Sequence, residues 1–235
     1  MPPNSSTFTT LNLPPTFELP QYMEYFTLKA GPNTDLWRKP PNGETTTAPI
    51  IFTTLDHPFV VAEVTVSADW EQEWDQGGLV IFAGADPHTL LTTETAPLRS
   101  SRIPHPPCKW VKAGMEFSSG TVNASSVSAT ADGADWCLSP LAQGQTGPGP
   151  GPGPRSGTVI HSLRIKLERV GDALWIWYQV PIASPYAVSP AAVGSTWKKL
   201  REVTWFFYGV DDKFGSAGMG SADGLVVEFE DLEIF

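Results

Sequence analysis

Hydrophobic and polar residues alternate with a period of two along several short stretches of the chain. In "FVVAEVTVSA", residues 59–68, the even-numbered positions from Val60 to Val66 are apolar, whereas Glu63, Thr65 and Ser67 are polar. Successive side chains of a strand point to opposite faces, so this pattern predicts a β-strand with one buried face. The stretch "SLRIKLERVGDALWIWYQV" shows the same alternation on both sides of Gly171-Asp172 and predicts a β-hairpin.

Apolar runs bounded by clusters of Gly, Pro, Asn and Asp predict further strands. They lie near residues 23–29, 50–54, 76–83, 110–117, 121–130, 197–210 and 225–235. No stretch shows a long helical periodicity. Many strands without alternating helices predict an all-β fold, a two-sheet antiparallel β-sandwich or jelly roll.

Two regions differ from the rest in composition. Residues 1–20 are rich in Pro, Thr and Asn, which predicts an extended N-terminal arm. Residues 21–235 are expected to form a single sandwich domain. Within it, "GQTGPGPGPGPRSG" at 144–157 has few side chains to bury and predicts a flexible surface loop between strands.

Charge narrows the class of partner. The chain has 235 residues, and its 15 Lys and Arg against 25 Asp and Glu give a formal net charge of -10. Repulsion from phosphates disfavours nucleic acid and anionic membranes, and leaves neutral sugars or basic partners. The start of the sequence shows no secretory signal, and no window reaches the roughly 20 apolar residues of a membrane span, so a cytoplasmic location is expected.

The most acidic stretch is "DWEQEWDQGGLVIF", residues 69–82, which places four carboxylates at every second position. Three hypotheses fit this row: the catalytic carboxylates of a glycoside hydrolase, a solvated acidic rim, or a calcium site, since carboxylates suit that hard ion. The row precedes Gly77-Gly78 and an apolar run, which favours a loop leading into a strand. The four histidines show no metal-binding spacing, and no cofactor is expected apart from the calcium alternative.

The stretch "KWVKAGMEF" at 109–117 places candidate ligand-binding side chains on one face of a predicted strand. Its odd-numbered positions from Val111 to Phe117 are apolar or small and are expected in the core, which leaves Trp110, Lys112 and Glu116 on the other face. An aromatic ring beside a cation and a carboxylate could stack on a sugar ring and hydrogen-bond its hydroxyl groups. The alternative is a Lys112–Glu116 surface pair, worth about 0–1 kcal/mol, with Trp110 packed under a loop.

Six motifs occur in the order that one known family shows: "DQGGLVIF", "KWVKAGMEF", "ADWCLSP", "LERVGDALWIWY", "WKKLR" and "GLVVEFEDLEI". Over residues 20–235 the chain resembles the family named after regulation-of-enolase protein 1, a domain of unknown function in the concanavalin A-like lectin/glucanase superfamily. The resemblance implies a jelly roll with a concave, lectin-like face. It also implies that Gln76 and Trp136 lie at family positions of that face.

The predicted function is a non-catalytic binding or regulatory protein with a carbohydrate-binding-like concave face. Its candidate ligand-binding residues are Asp75, Gln76, Trp110, Lys112, Glu116 and Trp136. One alternative is a glycan-active hydrolase or lyase that uses Glu116 with Asp75. Another is a regulator that binds a metabolic enzyme such as enolase, which only the family name suggests.

Overall fold

The computed structural model describes residues 1–40, 43–84, 108–141, 160–182, 194–204, 206, 212–219 and 224–235. Within these ranges the chain forms fifteen strands and one short 3-10 helix, Ser5–Thr7. The strands before residue 100 are β1 (Phe8–Leu11), β2 (Tyr25–Ala30), β3 (Leu36–Arg38), β4 (Glu44–Thr46), β5 (Ile50–Thr54), β6 (Val61–Ser67) and β7 (Gln76–Ala83). Those after it are β8 (Lys109–Ser118), β9 (Thr121–Thr130), β10 (Gly133–Pro140), β11 (Ser162–Val170), β12 (Ala173–Ile182), β13 (Gly194–Val203), β14 (Asp212–Met219) and β15 (Leu225–Ile234).

Thirteen of the fifteen strands build two antiparallel sheets, and β3 and β4 pair with each other as a separate hairpin. A seven-stranded sheet has the order β1-β5-β14-β7-β8-β9-β10, and a six-stranded sheet has the order β13-β12-β11-β6-β15-β2. The prediction of an all-β fold, a two-sheet antiparallel β-sandwich, is confirmed. Within the described ranges no helix has the length and apolar character needed to cross a membrane.

The main core lies between the two sheets. It receives the apolar side of each alternating strand, such as Val64 and Val66 from β6, Ile165 from β11 and Val111 and Met115 from β8. Polar side chains of β6 and β11 point away from it, and the carboxylate of Glu63 accepts a hydrogen bond from Arg164 at 3.1 Å. The period-two pattern therefore arises because one side of each strand faces the core and the other side faces away from it.

Five strands lack the pattern that would have predicted them. Strands β3 and β4 have three residues each, which is too short for an alternation to stand out. Strand β14, with the sequence "DKFGSAGM", contains two glycines, yet it lies between β5 and β7 in the seven-stranded sheet. The pattern also did not predict strands β1 and β10.

The predicted loop 144–157 lies outside the described residues, as do parts of the predicted strand 197–210.

The first twenty residues contact the body of the protein. Strand β1 pairs with β5 at the edge of the seven-stranded sheet, with Leu11 opposite Ile50. Upstream of it, the amide of Ser5 donates to the carbonyl of Gln21 at 3.1 Å, and that of Met23 donates to the carbonyl of Pro3 at 2.9 Å. The segment predicted as an extended arm thus contains an edge strand.

The hairpin of β3 and β4 covers part of the outer face of the seven-stranded sheet and creates a second core there. Arg38 on β3 is the main polar link. Its guanidinium donates to the carbonyl of Thr130 at 2.9 Å, to the carbonyl of Cys108 at 2.8 Å and to Glu44 Oε1 at 2.6 Å. Trp110, fully buried beneath the hairpin, donates its indole N–H to the same Glu44 oxygen at 2.6 Å.

Two glycines face each other across strands β7 and β8. Gly78 lies directly opposite Gly114, and a Cβ built on Gly114 would stand 1.9 Å from the carbonyl oxygen of Gly77. A Cβ on Gly78 would stand 2.1 Å from the carbonyl oxygen of Ala113. Only glycine fits such a close backbone approach, because any side chain would force the strands apart.

We expect Gly114→Ala to destabilise the fold by at least about 1–3 kcal/mol, because the methyl group would meet rigid backbone. Gly31→Ala is the matched control, since its Cβ would find its nearest neighbour, Thr34 Cγ2, at 3.7 Å. That variant should stay within about 0.5 kcal/mol of the wild type. Urea denaturation measures both changes, and equal stability of the two variants would contradict the close approach.

Candidate functional site

A cavity of about 490 Å³ opens beside the β3–β4 hairpin on the outer face of the seven-stranded sheet. Its floor comes from four neighbouring strands, β7 to β10, and its walls come from the segment that leads into β3 and from the loop before β7. The lining residues are Asn33, Thr34, Asp35, Trp37, Glu73, Trp74, Gln76, Glu116, Val127 and Trp136. The cavity falls within the range of about 300–1,000 Å³ that is usual for small-molecule sites.

Strand register brings the floor residues together. Gln76 on β7 lies directly opposite Glu116 on β8, and Val127 on β9 lies directly opposite Trp136 on β10. Glu116 and Trp136 are joined across the intervening strand by a hydrogen bond of 3.1 Å from the indole N–H to Glu116 Oε2. Regular sheet elements therefore hold the side chains at the base of the cavity.

Glu116 is the buried carboxylate of the site. Its Oε2 accepts hydrogen bonds from Ser125 Oγ at 2.5 Å and from Trp136, and the whole residue has no solvent exposure. Its other oxygen, Oε1, is buried with no hydrogen-bond partner among the described residues. A buried polar atom without a partner costs free energy, which a ligand that hydrogen-bonds it would recover.

Burial raises the pKa of Glu116 above its ordinary value, and the hydrogen bonds from Ser125 and Trp136 and the charge of Lys112 oppose this rise only in part. Lys112 shows the matching effect, since burial lowers the pKa of its ammonium group while Asp35 counteracts the change. Glu116 can therefore present either a proton donor or an acceptor to the cavity, depending on pH.

Two exposed tryptophans flank the carboxylate. Trp74 is 54% exposed and Trp136 is 39% exposed, with their ring centroids 5.4 Å apart and their planes inclined by 50°. Trp74 adopts a left-handed backbone conformation with φ of 77°, which is strained for a bulky residue. Its amide is held by a 2.9 Å hydrogen bond to the carbonyl of Phe117. With Trp37 on the hairpin side, three indole rings line one cavity.

The structure places the six sequence-predicted residues in three different positions: at the cavity, beneath the hairpin and, for Asp75 alone, in the loop before β7. Gln76, Glu116 and Trp136 line the cavity together. Trp110 and Lys112 lie on the same face of the sheet but are buried beneath the hairpin, where Lys112 Nζ donates to Asp35 Oδ1 at 3.1 Å and to the carbonyl of Leu36 at 2.8 Å.

Asp75 and the acidic row belong to the loop between β6 and β7. Asp75 is buried, and its Oδ2 accepts hydrogen bonds from the amides of Glu71 at 3.3 Å and Gln72 at 3.0 Å. Glu73 borders the cavity while its carboxylate accepts from Ser119 N at 2.8 Å, and Asp69 and Glu71 are exposed. In the described parts of the chain, no three His, Cys, Asp or Glu residues are grouped to hold a metal ion.

Three lining side chains carried no signal that singled them out in the sequence. Trp37 and Asp35 belong to the hairpin segment, whose three-residue strands show no alternation. Trp74 lies within the acidic stretch between Glu73 and Asp75, and no periodic pattern marks it.

The amino-acid sequence matches the family described as "Protein of unknown function (DUF1349)" over residues 11–234. The chain belongs to this family. "Uncharacterized protein AN7484" of Emericella nidulans is 33% identical over 216 residues, which cover 89% of this chain and 85% of the relative. Family membership therefore extends over nearly the whole sandwich, and the chemistry has to be argued from the cavity.

Solved structures show the same fold at low sequence identity. A functionally unknown protein from Saccharomyces cerevisiae is similar with a TM-score of 0.63 and 20% identity, over 99% of this chain and 98% of that one. A bifunctional GH43-CE protein of Bacteroides eggerthii is similar with a TM-score of 0.52 and 14% identity, over 90% of this chain and 21% of that one. These likenesses concern the fold alone.

Glu116→Gln should change how stability depends on pH. The folded chain holds the Glu116 proton more tightly than the unfolded chain, because burial raises the pKa above its ordinary value of 4.5. The associated stabilisation is present below that value and is lost as the pH rises through the folded pKa. The glutamine variant lacks this loss, so it should gain stability relative to the wild type as the pH rises above 4.5 and through the folded pKa of Glu116.

Urea denaturation at several pH values measures this difference, and Glu71→Gln, at an exposed carboxylate, is the control. A difference between wild type and Glu116→Gln that stays constant with pH would show that Glu116 titrates normally.

Proposed function

We propose that this protein binds a carbohydrate in the cavity and does not transform it. The observation that carries the proposal is the pairing of two exposed indole rings, Trp74 and Trp136, with the buried and partly unsatisfied carboxylate of Glu116. A sugar ring has apolar C–H faces that pack on aromatic rings and hydroxyl groups that need hydrogen-bond partners. The cavity offers both kinds of contact in one place.

Rigidity supports binding at this position. Gln76 and Glu116 belong to paired strands whose opposite faces are anchored in the main core through neighbours such as Leu79 and Met115. Groups on such elements keep their geometry better than groups on loops. The polar partners of Glu116 fix its rotamer further, so the free oxygen has a defined direction before any ligand arrives.

Each carboxylate at the cavity already has a structural partner. Asp35 pairs with Lys112, Glu73 accepts hydrogen bonds from the β8–β9 turn, and Glu116 accepts from Ser125 and Trp136. A glycosidase needs two carboxyl groups with distinct roles that flank the scissile bond. The Glu116–Asp75 pair receives less support than binding does, because Asp75 is not among the residues that line the cavity and serves the backbone of its own loop.

Trp136→Ala and Glu116→Ala should each weaken oligosaccharide binding by about 1–3 kcal/mol, the scale of a lost aromatic contact or of a buried group left unpaired. Glu71→Gln should leave binding unchanged, because Glu71 is exposed and outside the cavity lining. Tryptophan fluorescence across a panel of oligosaccharides measures the affinities, and analysis of the same samples detects products.

The outcomes separate the three hypotheses. Saturable binding without products supports the proposal. Products that disappear in Glu116→Ala would instead support the hydrolase or lyase, and products that disappear in Glu71→Gln would assign catalysis to the acidic row. Absence of binding to every sugar, together with a complex formed with purified enolase, would favour the regulator that the family name suggested.

A further inference from the structure

The cavity combines aromatic rings and acidic groups in equal number. It is lined by three tryptophans, Trp37, Trp74 and Trp136, and by three carboxylates, Asp35, Glu73 and Glu116. No Lys, Arg or His belongs to the described lining. The faces of indole rings carry negative electrostatic potential, so rings and carboxylates here act on a ligand in the same direction.

Lys112, on β8, is the cation that contacts one of these carboxylates, Asp35. It is buried, and its ammonium group is engaged by Asp35 Oδ1 and by the carbonyl of Leu36. The region of the cavity therefore contains one ammonium group and three carboxylates. Two of these carboxylates, Glu73 and Glu116, form no ion pair with a cation among the described residues. The remaining field repels anionic ligands and attracts cationic ones.

Glu116 Oε1 is the atom that a cationic ligand would contact through this attraction. The atom is buried, belongs to a residue that lines the cavity and receives no hydrogen bond from the described residues. A neutral hydroxyl group could satisfy it with one ordinary hydrogen bond. An ammonium group would form a charge-assisted hydrogen bond, which is roughly twice as strong, and would face the indole rings with its remaining surface.

We propose that the carbohydrate bound in this cavity is an amino sugar, whose protonated amine pairs with Glu116 among the rings of Trp74 and Trp136. This inference rests on the proposed carbohydrate-binding function and specifies its ligand class. Uronic acids and sugar phosphates, which carry negative charge, are rejected by the same groups.

The pairing of the ligand's amine with Glu116 also makes the binding affinity depend on pH. Glu116 must be ionised to hold an ammonium group, and burial raises its pKa in the free protein. The charged groups around it are Lys112 on its own strand, Asp35 from the segment before β3 and Glu73 from the loop before β7. Affinity should therefore rise as the pH passes upward through the pKa of Glu116, and fall again when the amine of the ligand loses its proton.

The test compares three sets of oligosaccharides with the same β-1,4 linkage: glucosamine oligomers, their N-acetylated counterparts and glucose oligomers. At physiological salt, the glucosamine oligomers should bind the wild type about tenfold more tightly than either neutral set, as one charge-assisted contact and one ring contact suggest. Their affinity should pass through a maximum with pH, whereas the affinity of neutral oligomers should lack the decline at high pH.

Glu116→Gln should remove the preference for the amine while it keeps measurable binding of neutral oligomers. Glu71→Gln removes an exposed carboxylate outside the cavity and should keep the preference, which separates a local contact from general attraction to an acidic protein. Equal affinity of wild type for charged and neutral oligomers would overturn the amino-sugar assignment and leave carbohydrate binding intact. Failure of all three sets to bind would also overturn the amino-sugar assignment, and failure of the whole oligosaccharide panel would overturn carbohydrate binding as well.

Discussion

The buried ammonium group of Lys112 is the constraint on which the outer face of the seven-stranded sheet depends. Removing an ammonium ion from water costs several kcal/mol unless its donors find good partners. Two of its partners, the carboxylate of Asp35 and the carbonyl of Leu36, lie directly before β3 and at its first residue. The hairpin must therefore lie on this face, where it also buries Trp110 and forms the wall of the cavity.

One face of strand β8 is therefore covered by the hairpin along one part and lies at the open cavity along another. In β8, Trp110 and Lys112 lie under the hairpin, whereas Glu116 lies at the open cavity. Gly114 separates them and keeps the strand close to Gly78 of β7, so that no side chain fills the space between the covered and the open part. The position of the hairpin and the missing Cβ together place the boundary between core and cavity.

The alternation of side chains predicted much of this arrangement. It identified β6, β8, β11 and β12, and it assigned Trp110, Lys112 and Glu116 to one face of β8. It could not show that half of this face is covered, because the covering strands have three residues each and come from more than sixty positions earlier in the chain. Likewise, the contact of Trp136 with Glu116 depends on the register of β8, β9 and β10, which period-two spacing leaves open.

The acidic row shows why spacing along the chain is a poor guide to charge in a folded site. Four carboxylates at every second position would lie in line on a regular strand, but the positive φ of Trp74 and the hydrogen bonds to Asp75 turn this segment into a loop. Only Glu73 of the four lines the cavity. The other two carboxylates there, Asp35 and Glu116, come from distant segments. Two of the three carboxylates at the cavity are therefore brought there by tertiary structure, and the loop contributes Glu73 and the ring of Trp74.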